Sequence, residues 1–369
     1  MLSLSTSRFT GAWQAAFVPW RIRDFTPLLP SRIPSLDGLR AVSIAFVLLS
    51  HLTRVAGFPE WMNGFYRLGG YGVRIFFVIS GFLITTLLLK EAAARGSISL
   101  KNFYIRRVFR IFPAFYVYAL AVVVLLLTGR IQVLPNDILH CFTYTMNYHH
   151  PHSWWVAHLW SLSVEEQFYL LWPAVLMFAG AARGMLVAAA VILIVPLLRI
   201  GSYMVLPRGG YSGQEFHLVC DALACGCLLA GLHRWLGSQE RYVRLLRSRW
   251  FFLIPLAGTS LIFLERPRFQ MLLGHTMLNV AVAVTIDRLV RFPGGAIGRF
   301  LNTGPLCFIG ALSYSLYLWQ QPFLNRHYPG ILTSFPQNVI CVFTAALASY
   351  FVVERPFLRL KDRFHGKQA

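Results

Sequence analysis

Arg40 and His51 share one face of the first predicted helix. They are eleven residues apart in the apolar segment that follows Pro34, which corresponds to about three helical turns, or about 16 Å along the axis. Histidine titrates near neutrality and suits a general base. An ionisable side chain deep in an apolar helix usually faces a cavity or a partner. The spacing therefore predicts either a catalytic His51 or one that is hydrogen-bonded to a neighbouring helix.

Three arginines form a basic cluster at the start of a later helix. Arg106 and Arg110 share a helix face, and Arg107 lies beside them. Guanidinium groups bind phosphate through paired, charge-assisted hydrogen bonds, so the cluster fits a phosphate clamp. Charge alone has a simpler explanation, because basic residues collect on the cytoplasmic side of membrane proteins.

Glu165 and Glu166 lie at the edge of another apolar segment, shortly after Ser161 and Ser163. If one of these serines caps the helix, a glutamate in the first turn completes the cap. This accounts for one of the two acids. The second acid indicates a further role. We expect one carboxylate to orient the imidazole of His51, since both lie on the same predicted side of the membrane.

Other polar residues favour structural roles. Asp37 is predicted to cap the first helix, and Asp221 to be a buried hydrogen-bond partner rather than a catalyst. The loop that carries His149, His150 and His152 has no carboxylate pattern typical of a metal site, and the six cysteines lack paired spacing. The sequence therefore predicts no metal and no permanently bound cofactor.

The composition determines what kind of scaffold holds these residues. Of 369 residues, 56% are hydrophobic and only 13% are charged, with a mean hydropathy of +0.57. A soluble domain is roughly a quarter charged. The chain is therefore predicted to be an all-α, polytopic membrane protein. Apolar segments of spanning length predict about ten transmembrane helices, near residues 39–57, 72–89, 111–128, 163–182, 185–200, 216–234, 250–265, 270–287, 304–323 and 337–354.

The distribution of charge predicts the orientation. The net charge is +20, with 34 Lys and Arg residues. If the N-terminus is cytoplasmic, 25 of these fall in inside segments and 9 outside, as the positive-inside rule requires. Both termini are therefore predicted to be cytoplasmic, and nucleic acid is excluded as a partner. The predicted organisation is a basic segment at 1–34, a membrane domain at 35–357 and a basic tail at 358–369.

Taken together, these segments resemble the acyltransferase family 3 membrane proteins, which include bacterial polysaccharide O-acetyltransferases. The resemblance covers most of residues 35–357, with the motifs in family order. The matching stretches are Leu36 to Ala41 leading to His51, Gly72 to Ile84, Phe103 to Pro113, Trp160 to Pro173, Ser313 to Trp319 and Glu354 to Pro356.

The resemblance implies roles for these residues. Arg40 and His51 correspond to functionally required residues of the family, and Arg106 and Arg107 to arginines that act with the acyl-CoA donor. We add Arg110 to the donor site, and Glu165 and Glu166 to the catalytic set. The expected enzyme transfers an acyl group from cytoplasmic acyl-CoA to a hydroxyl of an envelope carbohydrate. The resemblance to the family favours acetyl as the acyl group. The acceptor could be an exopolysaccharide, a lipopolysaccharide or a lipid-linked glycan. The expected location is the bacterial inner membrane. Direct transfer and an acyl-histidine intermediate both remain open.

Two departures from the family pattern limit the assignment. Gln320 and Gln321 stand where the family often has histidine, so no catalytic base is placed there. The sequence ends at Ala369, without the C-terminal hydrolase-like domain that some relatives carry. A flippase for a lipid-linked glycan is the alternative function, although it predicts internal repeats and broken helices in matching halves. A non-catalytic receptor is the other alternative, but it needs no such arrangement of Arg, His and Glu.

Overall fold

The computed structural model describes residues 22–27, 29, 33–206 and 212–365. It therefore covers only parts of the predicted terminal segments, and the basic residues before position 22 lie outside the described residues. In these ranges the chain forms helices and no strand, as predicted.

Eight helices of the described chain form its frame. They are α1 Pro34–Leu52, α2 Leu68–Arg95, α3 Leu100–Leu127, α4 Leu159–Val205, α5 Asp221–Ser238, α6 His275–Arg291, α7 Gly304–Phe323 and α8 Gln337–Ser349. Shorter segments lie before, between and after them: Ile22–Phe25, Glu60–Arg67, Asp137–Phe142, Met146–Tyr148, Trp154–Ala157, Phe216–Val219, Glu240–Arg247, Arg249–Phe252, Leu253–Ser260, Leu261–Phe263, Pro267–Phe269, Gln270–Gly274, Ala296–Leu301, Ile331–Thr333, Tyr350–Glu354 and Arg355–His365.

The helices confirm a membrane protein, whereas the predicted count of ten spans and the orientation of the termini stay predictions. Six helical stretches of the described residues are long and apolar enough to cross a membrane: Pro34–Leu52, Glu60–Arg95, Leu100–Leu127, Trp154–Val205, Pro267–Arg291 and Gln337–Lys361. The predicted spans 163–182 and 185–200 both fall within α4, which is interrupted at Gly180, where φ is 79°. The predicted span 250–265 is divided among short helices.

The predictions that Asp37 caps α1 and that Ser161 or Ser163 caps α4 are both wrong. Helix α1 has Ile33 at its N-cap and Pro34 in its first turn. Proline lacks an N–H, so it leaves one donor fewer to cap. Asp37 instead lies 3.8 Å from Arg40. Helix α4 begins before the two serines because the short helix Trp154–Ala157 continues into it through a helical His158.

Close packing against α1 and α2 sets the positions of the polar residues. Helix α1 packs between α2 and α7, and α5 packs against α2. A Cβ atom at Gly310 of α7 would collide with the carbonyl oxygen of Asp37 in α1. Gly81 of α2 and Gly226 of α5 approach each other's helix backbone in the same way. Small residues at such crossings let membrane helices approach closely.

Candidate active site

A cavity of about 530 Å³ opens among α1, α2, α3, α4 and α7, near the end of α1 that carries Arg40. Most of its wall is apolar or aromatic, as in small-molecule sites. Five charged residues that were predicted from the sequence line it: Arg40, Arg107, Arg110, Glu165 and Glu166. Charged residues from three separate stretches of sequence therefore meet in one chamber.

Two arginines of α3 face the cavity with no acid paired to them. The guanidinium of Arg107 lies 5.2 Å from the ring centre of Tyr169 and 5.5 Å from that of Phe103, and its Nε is buried without a hydrogen-bond partner. Across the described residues, no carboxylate oxygen lies within 4.0 Å of Arg107 or Arg110. Both arginines are half-buried, and positive charge that is partly removed from water is costly unless an anion compensates it.

Arg106 does not join these two arginines. Its Nη2 atom lies 3.0 Å from Oε2 of Glu91, and the other carboxylate oxygen of Glu91 accepts a hydrogen bond from the backbone of Ser99. Helix α3 is rotated so that positions 107 and 110 face the cavity, while position 106 faces the end of α2. The structure therefore places Arg106 in a brace between α2 and α3, outside the cavity that Arg107 and Arg110 line.

Glu165 belongs to a hydrogen-bond network inside the cavity wall. Its carboxylate accepts from the hydroxyl of Ser80 at 2.8 Å and from the hydroxyl of Tyr169 at 3.2 Å. Glu166 lines the same cavity beside it. The expected contact between a glutamate and the imidazole of His51 is absent, because the carboxylate of Glu165 is bonded elsewhere and His51 does not line this cavity.

His51 lies towards the opposite end of α1 and has a different partner. Its Nδ1 atom is 2.9 Å from the side-chain oxygen of Gln320 in α7, and its ring packs edge-on against Trp154 at 5.6 Å. An amide oxygen can only accept, so Nδ1 carries the proton. The other ring nitrogen, Nε2, is then the one that can accept a proton from a substrate.

Helix α7 connects the cavity to His51. Tyr317 lines the cavity, and its hydroxyl lies 2.5 Å from that of Ser161 and donates to the carbonyl of His158 at 2.7 Å. Gln320, the partner of His51, follows Tyr317 by three residues, which is close to one helical turn. The pair of His51 and Gln320 is therefore joined to α7 about one helical turn beyond the cavity wall.

Sequence reasoning missed four residues of this arrangement. Ser80, Tyr169 and Tyr317 lie inside the stretches that carry the family resemblance, and that was the available signal for them. For Gln320, the sequence indicates only that no catalytic base stands at this position. Its ability to fix the tautomer of a histidine on another helix depends on a contact that spans 269 positions in the sequence.

In the histidine-rich loop, the rings of His140 and His149 stack at 4.3 Å. His149 lies 3.0 Å from Asp137, and His140 lies 2.7 Å from the hydroxyl of Thr145. Burial, followed by the neighbouring His149, lowers the pKa of His140. Among the residues whose positions are described, no group of three or more potential ligands could hold a metal ion.

A model of the acyltransferase domain matches residues 33–354. The chain belongs to acyltransferase family 3. The match includes every residue of the cavity wall from Ile33 onward and also His51 and Gln320. The cavity and the pair of His51 and Gln320 therefore both lie inside the region that the family model matches.

Curated relatives of this family member are O-acetyltransferases. The peptidoglycan O-acetyltransferase OatA of Listeria monocytogenes is 28% identical over 88% of the chain and 54% of its own length. The O-acetyltransferase OatA of Staphylococcus aureus is 29% identical over 89% of the chain and 57% of its own length. The chain thus spans a little over half the length of these relatives. No solved structure matches it significantly.

Proposed function

We propose that this acyltransferase moves an acetyl group from acetyl-CoA to a hydroxyl of an envelope carbohydrate. The observation that carries the proposal is the pair of arginines, Arg107 and Arg110, that face an apolar cavity without a paired acid. Coenzyme A is polyanionic at one end and has a long, weakly polar arm. Its phosphates suit these guanidinium groups, and its arm suits the cavity.

The positive-inside distribution supports the orientation. It places Arg40 at the cytoplasmic end of α1 and His51 nearer the outer face of a bacterial inner membrane. A cytoplasmic donor would enter at the arginines, and its thioester would extend towards Tyr317 and His51. An acceptor on the outer side would approach His51. The relatives are named as a peptidoglycan O-acetyltransferase and as an O-acetyltransferase. These names support a carbohydrate acceptor.

His51 supplies the base in the proposed reaction. Nε2 takes the proton of the acceptor hydroxyl while the oxygen attacks the thioester carbonyl. The carbon–sulfur bond then breaks, and the imidazolium returns the proton to the sulfur, so that the products are an ester and free coenzyme A. Gln320 keeps Nδ1 protonated and the ring oriented throughout.

Four purified samples in detergent test the proposal: the wild type, His51→Ala, Arg107→Gln and the matched control Arg106→Gln. Calorimetry gives the Kd for acetyl-CoA, and thiol release with soluble peptidoglycan fragments as acceptor gives the turnover. We expect Arg107→Gln to raise the Kd about tenfold or more, as the loss of a charge-assisted hydrogen bond does. Arg106→Gln, which changes a residue outside the cavity, is expected to leave the Kd within about twofold.

His51→Ala is expected to bind acetyl-CoA but to release no thiol. Turnover at the wild-type rate in folded His51→Ala would rule out the proposed base. If no folded sample binds acetyl-CoA, the donor assignment is wrong and the flippase becomes the better explanation.

A further inference from the structure

A tryptophan and an arginine form a fixed rim beside His51. The ring of Trp154 contacts His51 at 5.6 Å, and the guanidinium carbon of Arg326 lies 5.0 Å from the centre of the same ring. His327 packs against Trp154 at 5.4 Å. The indole N–H donates to the carbonyl of Gln321 at 2.8 Å, which fixes the ring. The charge of Arg326 is therefore held at a set distance from His51.

This rim carries positive charge without a compensating acid. Arg326 and Arg54 are both exposed, and in the part of the chain that the structure describes no carboxylate oxygen lies within 4.0 Å of either guanidinium. Partial burial of this otherwise exposed side chain, and then the charge of Arg54, lower the pKa of Arg326. Two like charges gathered at one place create a potential that attracts an anion.

The position of the rim makes ordinary surface charge a poor explanation. By the proposed orientation this end of the bundle faces outward, and outward loops of membrane proteins are depleted in Lys and Arg. A solvated arginine also has no reason to be fixed over an aromatic ring beside the half-buried His51. Stacking on tryptophan pre-organises the guanidinium for a planar anionic partner.

We infer that Arg326, held on Trp154, binds an anionic group of the acceptor, so that the protein selects acidic carbohydrates. This inference rests on the proposed function. The separation of Arg326 from His51 cannot exceed the sum of the two ring contacts through Trp154. One sugar residue, or two neighbouring ones, can therefore contact both groups. The anionic group is a carboxylate or a phosphate, and both have the same chemistry towards a guanidinium.

Three soluble probes test the inference in the presence of coenzyme A: methyl glucoside, its uronic acid counterpart methyl glucuronide, and glucose 1-phosphate. Their Kd values are measured by calorimetry for the wild type, Arg326→Gln and the control Arg130→Gln, which removes an exposed arginine from another loop on the same predicted side. We expect at least one acidic probe to bind the wild type about tenfold more tightly than the neutral one. Arg326→Gln is expected to lose this preference, and Arg130→Gln to keep it.

A pair of variants at Trp154 separates recognition from misfolding. Trp154→Phe keeps an aromatic face under Arg326 and is expected to keep most of the preference for the acidic probe. Trp154→Ala releases the guanidinium and is expected to lower that preference severalfold. Acetyl-CoA binding at the cavity, measured for each variant, reports whether the sample is folded.

Several outcomes would overturn the inference. One is equal or undetectable binding of the acidic and neutral probes by the wild type. Another is a preference that survives in Arg326→Gln. A third is that the only effect of Arg326→Gln is weaker binding of phosphatidylglycerol to the detergent-purified protein, because the rim would then contact lipid headgroups. If acetyl-CoA is bound and cleaved but the acidic probes bind no more tightly than the neutral one, only the inference about Arg326 fails. If acetyl-CoA is not bound, the proposed function fails.

Discussion

The Nδ1 atom of His51 lies 2.9 Å from the side-chain oxygen of Gln320. This contact joins the first long helix to the seventh and determines which nitrogen of the imidazole is free. A neutral amide can hold the tautomer without adding a charge. The proposed base is therefore oriented by an uncharged partner, whereas Glu165 and Glu166 belong to the wall of the cavity towards the other end of α1.

Gln320→Ala is expected to lower kcat for acetyl transfer about 10- to 100-fold, the range found when a hydrogen-bond partner that orients a functional histidine is removed. The affinity for acetyl-CoA should change little, because Gln320 does not line the cavity. Gln320→Glu keeps an oxygen acceptor and is expected to restore much of the rate. It should also shift the pH–rate profile to higher pH, since a carboxylate stabilises the imidazolium. An unchanged profile and rate in both variants would show that Gln320 only packs.

Glu165→Ala is expected to lower the stability of the folded protein by about 1–3 kcal/mol, because the hydroxyls of Ser80 and Tyr169 lose their acceptor. Glu165→Gln retains one carbonyl oxygen and should lose less. Thermal unfolding in detergent measures both changes. A larger loss for Glu165→Gln than for Glu165→Ala would contradict the network as described.

Binding of acetyl-CoA is expected to weaken as salt is added. Raising the ionic strength from about 0.1 to about 1 M shortens the screening length from about 10 to about 3 Å, which reduces the attraction between the phosphates and Arg107 and Arg110. Titrations across this range should give a Kd that rises steadily in the wild type. The rise should be shallower in Arg107→Gln. A Kd independent of salt would argue against phosphate recognition by these arginines.

Asp221→Ala is expected to destabilise the fold by about 3–5 kcal/mol, because it leaves Arg199 as an uncompensated buried charge. The two side chains are 2.7 Å apart and almost completely buried, and Thr276 also donates to Asp221 at 2.7 Å. The matched control is Glu240→Ala, which removes a largely exposed acid 3.9 Å from Arg244 and should change stability by less than about 1 kcal/mol. Yields of folded protein and unfolding temperatures compare the two, and equal losses would count against a buried ion pair.

The sequence by itself determined the class of the protein and most of the candidate residues. Apolar composition and span length predicted a helical membrane protein, since unpaired backbone groups are too costly in lipid. Charged residues in apolar segments stood out because burial makes them expensive, which singled out His51, Glu165 and Glu166. Gly304–Phe323 coincides with one predicted span, because its apolar run has clear ends.

The tertiary structure decided which of these residues meet. Helix rotation placed Arg107 in the cavity and turned Arg106 towards Glu91, a difference that one step of 100° around a helix makes and that composition does not encode. The pairing of His51 with Gln320 and the pairing of Glu165 with Ser80 both cross between helices that are far apart in sequence. Such contacts depend on how whole helices pack, so local sequence patterns predicted the residues but not their partners.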